Sequence, residues 1–400
     1  MHQLKMISAA VAIALGASGS ALAGNSATIE STGMGNQVNV MQSGSGNATD
    51  VVQTGNLNAA NVNQSNADNT AEISQVFSNA QALVGQSGED NVARLEQGFS
   101  DVAVVDQSGD RNTATIDQTF DDLSNNNYAS VLQSGDDNTA NVTQDEFNIA
   151  TVNQSGSGNT ATVNQQDLSF GSGFVTGNSA VVDQSGNANT AAVRQNDYNR
   201  AYIDQHGDAS TADVQQRGTW NMASVSQGSN NSAQVDQSGM HNTATINQDV
   251  YTGTGMDSCC NNASVNQSGD GNVATVLQDV ANTATVGQSG SNNKATVHQD
   301  LTLTALSMNN FADIDQSGVW NEATITQNTL NSAWVEQSGA GTTADPNVAN
   351  VLQHGAGDVA YASQSGGEGN VIAMNQFGGG QWASVNQNGA FNTASVIQQQ

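Results

Sequence analysis

Few side chains in this sequence are of a type that does chemistry, and their spacing does not bring them together. Beyond the first 23 residues the histidines are His206, His241, His298 and His354, and none has a second ligand at zinc spacing in its own segment. His206 and His354 replace serine in Gln-Ser-Gly corners, His241 lies in another corner, and His298 faces outward on a strand. Cys259 and Cys260 are adjacent, a separation that disulfide geometry rarely tolerates. They could hold a soft metal or bond between molecules, but the expected reading is incidental thiols on an inserted loop. The acidic pairs Glu89-Asp90 and Asp136-Asp137 could collect Ca²⁺ weakly through carboxylate and carbonyl oxygens. Gly366-Gly-Glu-Gly-Asn-Val371 is similar to a calcium nonapeptide, yet Val371 stands where the aspartate is needed. The expectation is no catalytic site, no metal site and no cofactor: not an enzyme.

Composition narrows the classes further. The 400 residues carry 7 Lys+Arg against 36 Asp+Glu, a net charge of −29, although only 11% are charged. Nucleic acid and anionic membrane surfaces both require basic patches, so neither is an expected partner. Aromatics at 4% cannot fill an ordinary core, while a single proline suits a backbone whose N–H groups are nearly all committed. Lys5, the apolar stretch from Met6 to Leu15 and Ala21-Leu22-Ala23 read as a secretory signal peptide over residues 1–23 that takes no part in the fold. No later apolar run reaches the length of a transmembrane span.

The elements that position everything else are repeats. The unit Asn-x-Ala-x-Val-x-Gln ends in a glutamine 31 times between Gln42 and Gln398, and 23 copies match with Val, Ile or Leu at the fifth place. A degenerate copy starts at Asn25, with Ala27, Ile29 and Ser31. Strict alternation is the period of a strand. Between units, Gln-Ser-Gly-x-x-Asn supplies a glycine corner, as in 107–112 and 267–272. Strand and corner at this period predict an all-β solenoid with two short strands per coil and about 16 coils over residues 24–400.

One face of each strand would be internal. The expected thin core includes Ala114, Ile116, Ala140, Val142, Ala244, Ile246, Ala323 and Ile325. The amides flanking it would stack between coils as hydrogen-bonded ladders: Asn112, Gln118, Asn138, Gln144, Asn159, Gln165, Asn242, Gln248, Asn272, Gln278, Asn321 and Gln327. Large rings are placed elsewhere, with Trp220 and Trp320 in corners and Trp334 and Trp382 pointing outward. Insertions at 119–126, 166–177, 249–260, 300–309 and 338–346 interrupt corners. The first four fall in the shorter kind of corner and are expected on one edge. Outward acids such as Asp106, Asp117, Asp183, Asp204, Asp236 and Asp315 precede ladder glutamines, where they either serve ordinary solubility or, through their repulsion, oppose premature association.

The repeat resembles that of curlin, the subunit of bacterial curli amyloid fibres: Gln-x-Gly-x-x-Asn-x-Ala-x-Val-x-Gln. The segments 376–387 and 387–398 are the best matches within this chain. The resemblance implies export by the general secretory route and through an outer-membrane pore. It also implies polymerisation outside the cell on a nucleator subunit, with a role in biofilm matrix and adhesion. The chain has more repeats than a typical major curlin, and its first repeat follows the cleavage site directly. Head-to-tail growth is then expected between an end built from Asn25, Ala27 and Ile29 and one built from Asn392, Ala394, Val396 and Gln398. The other reading is a soluble or surface-attached solenoid that binds a surface, ice or polysaccharide through outward Thr, Trp334 and Trp382.

Overall fold

A computed structural model describes the backbone of residues 8–16 and all of 24–119, 126–166, 177–248, 259–299 and 309–399. Four of the expected insertions (119–126, 166–177, 249–260 and 300–309) therefore lie almost wholly outside the described residues, and 338–346 lies within them. The chain divides into two compact units, Met1–Tyr198 and Asn199–Gln400. Each is a β-solenoid of two parallel sheets, as the repeat predicts, and the turns of the two together number about 15.

In the first unit consecutive strands go to opposite sheets, so each strand pairs with those two before and two after it. Val102–Ser108 pairs with Tyr128–Ser134, which pairs with Ile149–Ser155. In the facing sheet Thr113–Gln118 pairs with Thr139–Gln144, and that with Thr160–Gln165. The register repeats without slippage: Ala114 opposes Ala140, which opposes Ala161, and Ile116 opposes Val142, which opposes Val163. Shifting one strand by a single residue would turn its alanine and valine to solvent, which is why the alternation fixes the register. The second unit follows the same rule from Arg200–Gln205 to Thr393–Gln399.

The core of each unit is the single layer between its sheets. Ala114, Ile116, Ala140 and Val142 in the first unit, and Ala244, Ile246, Ala323 and Ile325 in the second, are at most 1% exposed. Within each unit the interrupted short corners share one edge. In the first they follow Thr113–Gln118 and Thr160–Gln165, in the second Thr243–Gln248 and Lys294–Gln299.

Corners stack as tightly as strands. Gly109, Gly135 and Gly156 have φ between 94° and 96°, a left-handed region in which a side chain is strained. A Cβ on Gly135 would also lie 2.2 Å from the Gly156 carbonyl oxygen of the following coil. Gly135→Ala therefore meets both backbone strain and a backbone clash, and should destabilise the first unit by about 2–4 kcal/mol in urea unfolding. Ala at Asp136, the next corner residue, has neither problem and should change stability far less.

In the full chain the apolar stretch Ser8–Gly16 forms a strand parallel to Met34–Ser43, with Leu15 opposite Gln42. The physical reason is the edge itself. Met34–Ser43 begins its sheet, and an unpaired row of backbone donors and acceptors takes up an extended segment within reach.

Candidate functional site: amide ladders and open strand edges

Each repeat places its asparagine just after a corner and its glutamine at the strand end, both facing inward. In the first unit Gln118 Nε2 donates to Gln144 Oε1 and Gln144 Nε2 to Gln165 Oε1, each at 2.9 Å. In the second, Gln248, Gln278, Gln299 and Gln327 are linked in the same way at 2.9 Å. Each glutamine uses its other N–H on a strand carbonyl across the core, as Gln144 does on Tyr128 at 3.1 Å. The asparagines bond in the opposite sense along the chain. The backbone N–H of Asn138 donates to Asn112 Oδ1 at 3.0 Å and that of Asn159 to Asn138 Oδ1 at 3.1 Å. Asn272 donates likewise to Asn242, and Asn321 to Asn293. Asparagine Nδ2 groups tie down the corners, as Asn159 does on the Gly186 carbonyl at 2.9 Å. Buried amides are tolerable here because each satisfies the next.

At the ends this reciprocity stops. Ala27 and Ile29 on Ser26–Thr32, and Ala394, Val396 and Gln398 on Thr393–Gln399, are only half-buried, as are Asn25 and Asn392. Among the described residues Ser26–Thr32 pairs only with Ala48–Thr54, and Thr393–Gln399 only with Val371–Phe377. Their outer edges are rows of unpaired backbone groups.

Three stretches of the chain, residues 125–145, 207–239 and 308–332, match the model of the curlin-associated repeat. These stretches are similar to the curlin-associated repeat. The three matches lie in both units and fall on strands and corners of the same build as the rest. No curated protein matches the chain.

The repeats contain substitutions that sequence patterning passes over. Asp101 occupies an asparagine place, fully buried, with Oδ1 accepting the Asn127 N–H at 2.9 Å and Oδ2 accepting the Gly98 N–H at 2.8 Å. Burial pushes its carboxyl up to about 7 against the pull of those bonds. Thr49 replaces a core alanine and donates to Gln64 Oε1 at 2.8 Å. Corners hide another regularity: the residue before the ladder asparagine is left-handed in most repeats, even where it is bulky, as at Arg111, Trp220 and Phe391. Gly, Asn and Asp fill many of these positions, as at Gly158, Asn292 and Asp137, but the bulky residues that share the conformation do not signal it in sequence.

The residues weighed for chemistry serve the corners and faces of the repeats. Asp110 Oδ1 accepts the Glu89 N–H at 2.9 Å and Asp136 Oδ1 accepts the Asp110 N–H at 3.0 Å, so these corner acids bond coil to coil. Arg111 pairs with Asp137 at 2.7 Å and holds that carboxyl below its usual range. His354 Nδ1 lies 2.9 Å from Asn328 Nδ2 and its ring stacks on Phe377. His206 approaches Asp204 at 3.7 Å, and His241 lies parallel to Trp220. Cys259 bridges Ser229 through the backbone, and Cys260 is exposed. Among the described residues no three His, Cys, Asp or Glu side chains are grouped to hold a metal ion.

Outside the core, Trp334 meets Phe311 at 5.3 Å and the Tyr361 hydroxyl donates to Glu336 at 2.6 Å. Burial, with the nearby charges of Asp315 and Glu336, raises the Asp313 carboxyl. Trp382 is 66% exposed.

Proposed function

We propose that this chain is a secreted structural subunit of a curli-type extracellular amyloid fibre, exported after removal of residues 1–23 and polymerised by end-to-end stacking of coils. Biofilm matrix and adhesion are the roles such a fibre serves. The observation that carries the reading is the pair of open strand edges, where half-buried core residues and unpaired backbone groups form heterologous faces that cannot close on themselves. A second copy of the chain is the partner that satisfies both. A nucleator subunit and an outer-membrane pore are further partners in keeping with curlin repeats. Among the described residues no helix is long and apolar enough to cross a membrane.

Purified residues 24–400 should grow thioflavin-positive fibres with a meridional reflection at ~4.8 Å, the spacing of successive strands. A persistent monomer at high concentration would replace this reading with that of a surface or polysaccharide binder, which the exposed ring of Trp382 favours. Deleting residues 381–400 takes away the last two strands and should slow elongation at least severalfold, read as the slope of fibre growth on preformed seeds.

A further inference from the structure

The fibre-subunit reading leaves open which strand meets which, and two buried atoms decide it. In each unit a strand pairs with the second strand along and never with the next. Carried across a junction, that rule sets the first strand of an incoming copy on the penultimate strand of the copy before it.

The ladders point to the same place from both sides. Glutamines donate forward: Gln353 Nε2 to Gln376 Oε1 at 2.9 Å, and Gln376 Nε2 to Gln398 Oε1 at 2.8 Å. Gln398 Nε2 bonds the Trp382 carbonyl at 3.0 Å, and among the described residues no ladder glutamine accepts its second hydrogen. At the other end Gln42 is 1% exposed and its Oε1 has no donor, although its Nε2 donates to Gln64 Oε1 at 2.8 Å. Asparagine places bond backwards: the Asn392 N–H donates to Asn370 Oδ1 at 3.1 Å, and the Gln381 N–H to Asp358 Oδ1 at 2.9 Å. Gln381, 6% exposed, is left with an Oε1 that no donor reaches. A buried acceptor without a donor is costly; Gln381 Oε1 lies at the level where the next coil would supply one, and Gln42 Oε1 reaches that level once Ser8–Gly16 no longer covers Met34–Ser43.

We infer that a second copy docks with its Ser26–Thr32 strand on Trp382–Asn388 and its Met34–Ser43 strand on Thr393–Gln399. Gln398 then donates to Gln42 Oε1 of the incoming copy, whose Asn25 N–H donates to Gln381 Oε1. The half-buried segments Asn25–Ser31 and Asn392–Gln398 remain the outermost elements, but each takes as partner the strand one place inward from the other. Ser8–Gly16 shows that the Met34–Ser43 edge takes a parallel strand, and it fills that edge in the uncleaved chain. Removing residues 1–23 opens the edge to a second copy.

Cysteine pairs test the register in residues 24–400 carrying Cys259→Ser and Cys260→Ser. Thr28 and Ser384 are both exposed and hold the same place in their repeats, as do Thr28 and Ser395. Facing positions on adjacent strands lie ~4.8 Å apart, inside the span a disulfide bridges, whereas positions on opposite sheets are too far apart. Oxidised fibres of Thr28→Cys/Ser384→Cys should show roughly tenfold more covalent multimer on non-reducing gels than those of Thr28→Cys/Ser395→Cys. Fibres that cross-link equally in both variants, preferentially through Ser395→Cys, or in neither overturn the register while leaving the fibre reading intact. Failure of the parent chain to form fibres removes that reading itself.

Discussion

Replacing Gln133 by leucine should cost the first unit about 3–6 kcal/mol, although the two side chains are of similar volume. Gln133 Oε1 accepts from Gln107 Nε2 at 2.8 Å, and its own Nε2 donates to Gln154 Oε1 at 2.8 Å and to the Thr113 carbonyl at 3.0 Å. Leucine removes all three bonds and strands a donor and two acceptors in a layer that water does not enter. Each orphaned group costs about 1–3 kcal/mol, which a better-packed apolar side chain only partly offsets. Leu132, the neighbouring residue, points outward and is 45% exposed, so Leu132→Thr should stay within about 0.5 kcal/mol. Urea unfolding of the unassembled chain separates the two variants. Equal midpoints would mean that the glutamine ladder contributes nothing beyond its apolar contacts.

The second large effect is a dependence on pH at Asp101. Its carboxyl titrates near 7 in the folded chain and near 4 when unfolded, so between those values the folded state holds a proton that the unfolded state has released. Stability from this group is therefore greatest in acid and declines as pH rises through that window, by about 4 kcal/mol in all. Asp101→Asn should remove the slope. The asparagine keeps an oxygen for Asn127, and the Gly98 N–H keeps the Gln118 carbonyl at 3.2 Å. The variant should gain on the parent steadily from pH 4.5 to pH 8, read as the difference between their urea midpoints. Parallel pH curves would show that Asp101 is accommodated without penalty.

How much of this was legible beforehand depends on whether a property repeats. Ala114, Ile116 and Gln118 announce their surroundings because the same types recur in neighbouring repeats, so periodicity alone gives the coil, the inward face and the ladders. Asp101 and Asp358 are visible as departures from asparagine, but that they stay inside the ladder rather than turning outward is a tertiary outcome. The left-handed residues at Arg111, Trp220 and Phe391 leave no trace in composition, since the corner imposes their backbone and the side chain merely rides outward. The docking register was hidden for another reason. It depends on the pairing of every strand with the second one along and on which acceptors go unmet, and neither is written in a single repeat.

That pairing rule also makes parity a property of the chain. Excising one repeat from inside a unit would send every later strand of that unit to the opposite sheet, exchanging its outward residues and moving each later corner to the other edge. Excising two would restore both faces and shorten the unit by one coil. Length in such a protein can change smoothly only by whole coils, so an even count of repeats is what duplication or loss must respect if the two faces are to keep their separate surfaces.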